Sequence, residues 1–195
     1  MAYINADTIR ITTPLTRDVA LSLKAGDNVL ITGKILTARD AAHKRFIELL
    51  EKGEPLPIDL HGQIIYYAGP TPTPPGRASG SFGPTTSYRM DKYTPQLLER
   101  GLLGMIGKGT RSTDVIEAMK QHGAVYFAAT GGAAALIARS IVHSEIVCYD
   151  DLGAEAVRLL TVVDFPAIVA IDSRGVNLYE IGCNTYKINR EKNEG

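Results

Sequence analysis

Nine of the sixteen residues at positions 69–84 are glycine or proline, and five of the chain's ten prolines fall there. Proline fixes φ and glycine admits φ > 0, so this run follows a path that neither a helix nor a strand can take. It is internal, because the hydrophobic runs QIIYYAG before it and TPQLLERGLLGMIG after it must both be buried. A loop of this length inside a compact domain is usually functional or disordered, whereas composition alone reads equally as a linker. Thr85, Thr86, Ser87 and Arg89 follow within five positions, hydroxyls and a guanidinium suited to holding an oxyanion.

The segments around the loop alternate in type. Residues 7–15 and 28–37 have the β-branched content of strands, with Gly33 as a bulge or a close approach, and 17–26 reads as a short helix or turn. Ala42, Phe46, Leu49 and Leu50 recur at helical spacing over 38–52, and Gly53 can end that helix. Further strands are predicted at 63–68, 102–106, 124–129, 140–150, 159–165, 167–172 and 177–181, with helices at 112–121 and 133–139. Thr94-Pro95 reads as an N-cap followed by proline at the first helical position. Strands alternating with short helices in the middle, and mainly strands at the ends, predict an α/β fold with more than one sheet.

At 195 residues and 45% hydrophobic content, a single domain over 1–195 is expected, with the polar tail 184–195 frayed. Lys plus Arg equals Asp plus Glu at 21 each, so no basic field recruits nucleic acid. The apolar runs are too short and interrupted to span a membrane, and a cytoplasmic location is expected. Two cysteines, Cys148 and Cys183, cannot form a three- or four-cysteine site within one chain, so any iron–sulfur cluster belongs to another chain. His61, His122 and His143 lack ligand spacing and read as structural.

Two more stretches carry chemistry. In TARDAAHKR, Arg39 and His43 are four apart at a strand-to-helix junction, where the helix N-terminus favours an anion; the alternative is a pair of solvated helix residues. Lys108 lies between Gly107 and Gly109, but Leu102 and Gly109 occupy positions where a P-loop needs glycine and Ser or Thr, so that motif fails. What remains is an ammonium at a strand end, either reaching a carboxylate or exposed in a turn. Thr130-Gly131-Gly132 lacks the third glycine of a dinucleotide fingerprint.

Taken together, TARDAAHKR, PGRASGSFGPTTSYRMD and the GKG turn resemble the β subunit of class I, iron–sulfur-dependent fumarate hydratases and the related L-tartrate dehydratases, equivalent to the C-terminal domain of the single-chain enzymes. The resemblance spans nearly the whole chain and implies a swivelling β/β/α domain. The activity it implies is reversible hydration of fumarate to S-malate, a step of the tricarboxylic acid cycle. It implies a partner α subunit, in a heterodimer or α2β2 assembly, whose three cysteines hold a [4Fe–4S] cluster acting as Lewis acid. This chain would bind no cofactor or metal and be inactive alone.

By motif, Arg39 and Arg89 resemble the family's carboxylate clamps, Lys108 its substrate-binding lysine, and Thr85 the threonine assigned as base. His43, Thr86 and Ser87 are secondary candidates. A free hydroxyl has a pKa far above 7, so Thr85 needs activation by cations, backbone donors or groups of the α subunit; an N-cap or an orienting donor is the alternative role. An L-tartrate dehydratase β subunit fits the same clamps. A reading from another class is a stand-alone anion-binding or scaffold module without catalysis.

Overall fold

The computed structural model describes residues 8–72, 75–76, 80–129 and 134–182. In chain order the elements are β1 (Ile9–Thr12), α1 (Arg17–Ser22), β2 (Asn28–Thr37), α2 (Asp40–Glu51), β3 (Ile64–Tyr66), β4 (Ala68–Pro70) and β5 (Phe82–Pro84). A 3-10 turn (Ser87–Met90) leads to α3 (Thr94–Glu99), β6 (Gly104–Gly107), α4 (Thr113–His122), β7 (Val125–Ala128), α5 (Ala134–Ser140) and β8 (Ile141–Cys148). A second 3-10 segment (Asp150–Glu155) precedes β9 (Val157–Ile171).

Two long strands set the frame. β2 pairs antiparallel with β9 from Asn28↔Ile168 to Thr37↔Arg158. The other edge of β2 is shared between β1 and β3, both parallel to it, and β6 and β7 continue the parallel run from β3. β7 then pairs antiparallel with the end of β9, so the ladder β2-β3-β6-β7-β9 returns to β2, while β8 lies on β9's first half. β4 and β5 form a separate two-stranded sheet. This is a mixed α/β architecture with more than one sheet, in line with the sequence.

Strand side chains alternate between two cores, as the period of two requires. Ile64, Tyr66, Ile106, Val125 and Phe127 face Ile31 and Ile35 of β2 and Leu160, Val162 and Phe165 of β9. Ile65, Met105 and Tyr126 face the other way, against Ala42, Phe46, Leu97, Leu98, Val115 and Met119 of α2, α3 and α4. The parallel strands are thus sandwiched between helices and an antiparallel layer.

Local chemistry sets the boundaries. Gly33 sits at a register shift between β2 and β9 with φ +127, and a Cβ there would collide with Thr13. Ser112 caps α4 by accepting from Val115 N, and Gly123 ends it with φ +73. Three expectations are corrected. The two strands predicted at 159–165 and 167–172 are one, because Asp164 with φ +50 is absorbed as a bulge between the pairs Gly33↔Val162 and Ile31↔Phe165, and Pro166 stays paired with Leu30. Residues 178–182 are helical where a strand is predicted, since Asn177 caps the turn by accepting from Tyr179 N at 3.1 Å. Thr94 is no N-cap: its hydroxyl donates to the Met90 carbonyl at 2.9 Å, inside the turn that leads into α3. The Thr130-Gly131-Gly132 stretch, Cys183 and the tail 184–195 lie outside the described residues.

Candidate functional site

β2, β3 and β6 run parallel and end side by side, and ligands of α/β proteins collect outside the carboxyl ends of such strands. Arg39 lies two residues beyond β2 and Lys108 one beyond β6. The chain leaving β3 runs through the β4–β5 hairpin, and Thr85 follows that hairpin directly. The Gly/Pro-rich stretch is therefore an excursion that starts and finishes at one place. Ala68↔Pro84 and Pro70↔Phe82 pair its two limbs, and Thr71 N donates to the Ser81 carbonyl at 3.0 Å.

Backbone ties draw the returning limb against the GKG turn. Thr85 N donates to the Tyr67 carbonyl at 2.6 Å, while Tyr67 N donates to Ile106 at the end of β6. Thr86 bridges to Lys108, and Ser87 N donates to the Lys108 carbonyl at 2.9 Å. Gly107 must be glycine because a Cβ would overlap the Ser87 hydroxyl and lie 3.0 Å from the Tyr67 ring. Thr85 and Thr86 are half-buried, and Lys108 and Arg89 are exposed.

The Ser87 hydroxyl is committed elsewhere. Tyr126 donates its one phenolic proton to the Gly109 carbonyl at 2.9 Å, so Ser87 donates to Tyr126, also at 2.9 Å. Burial pushes the Tyr126 phenol well above its usual range and keeps that proton in place. Ser87 thus fastens the loop from behind.

Charges alternate across the start of α2. Arg39 is its N-cap residue, and its Nη2 lies 3.3 Å from Glu155 Oε1. Glu155 Oε2 accepts from Ala41 N at 3.1 Å, one of the first-turn donors that the helix cannot satisfy itself. Arg89 Nε lies 2.9 Å from Asp40 Oδ1. Gly69 leaves room for this packing, because a Cβ there would meet the Ala154 carbonyl and lie 3.5 Å from the Arg39 stem. Arg39 Nε and Asp40 Oδ2 are buried without a hydrogen-bond partner.

His43 is one turn on and fully buried. Its Nδ1 lies 2.8 Å from the Arg39 carbonyl, an acceptor, so Nδ1 carries the proton and Nε2 is a lone pair with no partner. The ring packs edge-on against Tyr67, with centroids 5.4 Å apart. Burial lowers its pKa to about 4, reinforced by Arg111 and opposed by the Arg39 carbonyl, so the imidazole is neutral.

Sequence patterns do not reveal Arg111. Its side chain is buried, Nε donates to Asp91 Oδ1 at 2.7 Å, and Nη2 donates to Thr94 Oγ1 at 2.8 Å. Its guanidinium stacks on Tyr67 at 5.3 Å and Tyr126 at 5.1 Å. Asp91 also accepts from Ser112 N at the start of α4. One buried ion pair therefore locks the segment after Arg89 to the segment after Lys108. The adjacency of RMD and GKGTR to the site residues was the only signal available.

Arg39, Thr85, Thr86, Ser87, Arg89 and Lys108 are thus linked by contacts at one end of the parallel strands, with His43 behind them in the core. Among the described residues, no group of three or more His, Cys, Asp or Glu is placed to hold a metal.

A family model described as the fumarase C-terminus matches residues 2–182. The chain belongs to the fumarase C-terminus family. The putative L(+)-tartrate dehydratase subunit beta of Methanocaldococcus jannaschii is 42% identical over 85% of this chain and 88% of the relative. The aerobic class I fumarate hydratase of Escherichia coli K12 is 43% identical over 77% of this chain. Fumarate hydratase 2 of Leishmania major is 43% identical over 79% of this chain. The matches span 28% of the length of each of these two fumarate hydratases. This member of the family carries its charged and hydroxyl groups on the loops after β2, β5 and β6.

Proposed function

We propose that this chain is the β subunit of a hydro-lyase that reversibly hydrates fumarate to S-malate, supplying the dicarboxylate-binding wall to a cluster-bearing α subunit. In this reading it is a single swivelling β/β/α domain over 1–195, assembled with its partner as a heterodimer or α2β2 in the cytoplasm. The observation that supports it is that the limb bearing Thr85 and Arg89 is tied to Lys108 through Ser87 N and pairs Arg89 with Asp40, the neighbour of Arg39, in a chain of the fumarase C-terminus family.

The residues of this chain do not fit the iron–sulfur group that class I fumarate hydratases use. A cluster needs three thiolates, and the chain has two cysteines. Cys148 is partly buried on β8, and burial pushes its thiol up to about 11, away from the thiolate form. The cluster is accordingly assigned to the α subunit, and no step here runs through it.

What this chain contributes is orientation and charge. Fumarate carries two carboxylates, and guanidinium groups bind carboxylates in two-point fashion, so Arg39 and Arg89 hold one end each and Lys108 adds a compact third charge. Asp40 Oδ1 lies 2.9 Å from Arg89 Nε, so a carboxylate of this chain already neighbours that guanidinium. Thr85 exchanges the C3 proton, a role that requires its hydroxyl to be activated by cations, backbone donors or groups of the α subunit.

The test is to combine this chain with a cluster-loaded α subunit and follow fumarate-dependent malate formation. Arg89→Ala should lower kcat/KM by about a hundredfold, the worth of a charge-assisted two-point contact. An undiminished rate rejects the site. L-tartrate dehydration is the second reading, favoured by the match along 88% of the Methanocaldococcus jannaschii β subunit. Turnover of fumarate against L-tartrate by the same assembly decides between them.

A further inference from the structure

We infer that Tyr126 is a positioning residue for Lys108, an inference that rests on the proposed dicarboxylate site. Lys108 stands between two glycines, so its immediate neighbours offer no side chain to brace it. Gly109 has φ +82, a region open to glycine, the residue that loses most conformational freedom when it is held in place. A long cationic side chain on so free a backbone would be ordered only as substrate arrives, and that ordering weakens binding.

Three successive carbonyls of the turn accept hydrogen bonds and remove this freedom in advance. The Gly107 carbonyl accepts from Ala129 N at 2.9 Å, the Lys108 carbonyl from Ser87 N at 2.9 Å, and the Gly109 carbonyl from the Tyr126 hydroxyl at 2.9 Å. Each peptide unit is planar, so holding these three carbonyls orients three consecutive planes and with them the backbone dihedrals at Lys108 and Gly109. The first two bonds join backbone to backbone and do not depend on residue type. The third comes from a side chain. Tyr126 is fully buried, and its ring lies 5.1 Å from the Arg111 guanidinium, itself anchored on Asp91 and Thr94. The Ser87 hydroxyl donates to the phenol oxygen at 2.9 Å, which leaves the phenol proton for Gly109. Phenylalanine would fill the same space without burying a polar group, so packing alone does not call for the hydroxyl. Its bond to the turn that bears Lys108 does.

Tyr126→Phe removes the hydroxyl and keeps the ring. Succinate would be titrated by calorimetry into the complex with a cluster-loaded α subunit, for the wild type, Tyr126→Phe, Lys108→Ala and the double variant, with Ser140→Ala as a control. Ser140 is buried on α5 and donates its hydroxyl to the Ile137 carbonyl at 2.7 Å, so its variant loses a bond of the same kind outside the turn. Positioning predicts that Tyr126→Phe weakens succinate about fivefold, the cost of ordering one long side chain on binding. With Lys108 already alanine, the same substitution should change affinity by less than about twofold, and Ser140→Ala should stay within about twofold of the wild type. In turnover, Tyr126→Phe should raise KM for fumarate more than it lowers kcat. An equal effect in both Lys108 backgrounds, wild-type affinity in Tyr126→Phe, or an equal loss in Ser140→Ala overturns the inference. If Lys108→Ala weakens succinate while Tyr126→Phe does not, the dicarboxylate site stands and only the positioning role falls. If Lys108→Ala binds succinate as the wild type does, both fall.

Discussion

Acidification should destabilise this protein through His43 well before its carboxylates titrate. The imidazole is fully buried with its pKa lowered from 6.5 to about 4, so between those values the folded state keeps it neutral while the unfolded chain protonates it. The unfolded state then binds more protons, and stability falls as pH drops through this window. Integrating from pH 7 to pH 5 gives a loss of about 2 kcal/mol from this one group, at about 1.4 kcal/mol per pH unit once the unfolded imidazole is charged. Desolvation dominates, and the charges that face the ring partly oppose each other, with Arg111 lowering its pKa and Asp40 raising it. Asp59, Asp151 and Asp172 have lowered pKa values, so their contributions are lost only at more acidic pH. The assay is urea unfolding at pH 7 and pH 5 for the wild type and His43→Gln. The wild type should lose about 2 kcal/mol more than the variant over this interval. Equal losses would refute the assignment of a buried neutral imidazole. Protonation adds its proton at Nε2 and leaves the Nδ1 bond to the Arg39 carbonyl in place, so the cost is that of a buried charge.

Two further outcomes follow from the packing behind the site. Gly107→Ala should cost about 1–3 kcal/mol by overpacking, and combining it with Ser87→Ala should be less damaging than the sum, as measured by a thermal double-mutant cycle. Additivity would show that the two groups do not collide. Asp91→Ala leaves the Arg111 guanidinium buried and unpaired and should destabilise by about 3–5 kcal/mol in denaturant unfolding; a loss under 1 kcal/mol would mean that water reaches the arginine.

The parts of this fold that were legible in the sequence are those set by neighbours in the chain. β2 runs over Asn28–Thr37, the span its β-branched run predicts, and Gly33 is there because only glycine adopts φ +127 in close approach to Thr13. The turn at 178–182 departs from the strand expectation because NLYEI fits a strand as well as a helix, and the cap on Asn177 outweighs the alternation. Thr94-Pro95 carries the local pattern of a helix start, yet Arg111, seventeen residues on, engages the hydroxyl, and no local pattern reports such a pair. The site divides in the same way. Arg39, Thr85, Arg89 and Lys108 lie in short motifs, but the partners that orient them, Glu155 on Arg39 and Arg111 behind Asp91, come from distant segments.

The pairing of β2 with β9 also bears on how the molecule is made. Thr37, two residues before Arg39, is hydrogen-bonded to Arg158, 121 positions later in the chain. On the ribosome, Arg39 and Asp40 are therefore synthesised long before the strand that clasps their supporting β2 exists. Closing a loop of that length precedes any contact that rewards it, which makes such topologies slow to fold. Until β9 arrives, β2 presents a bare edge to other chains. The groups proposed to bind substrate can acquire their geometry only once β9 has been made, so β9 acts as the timing element of the site.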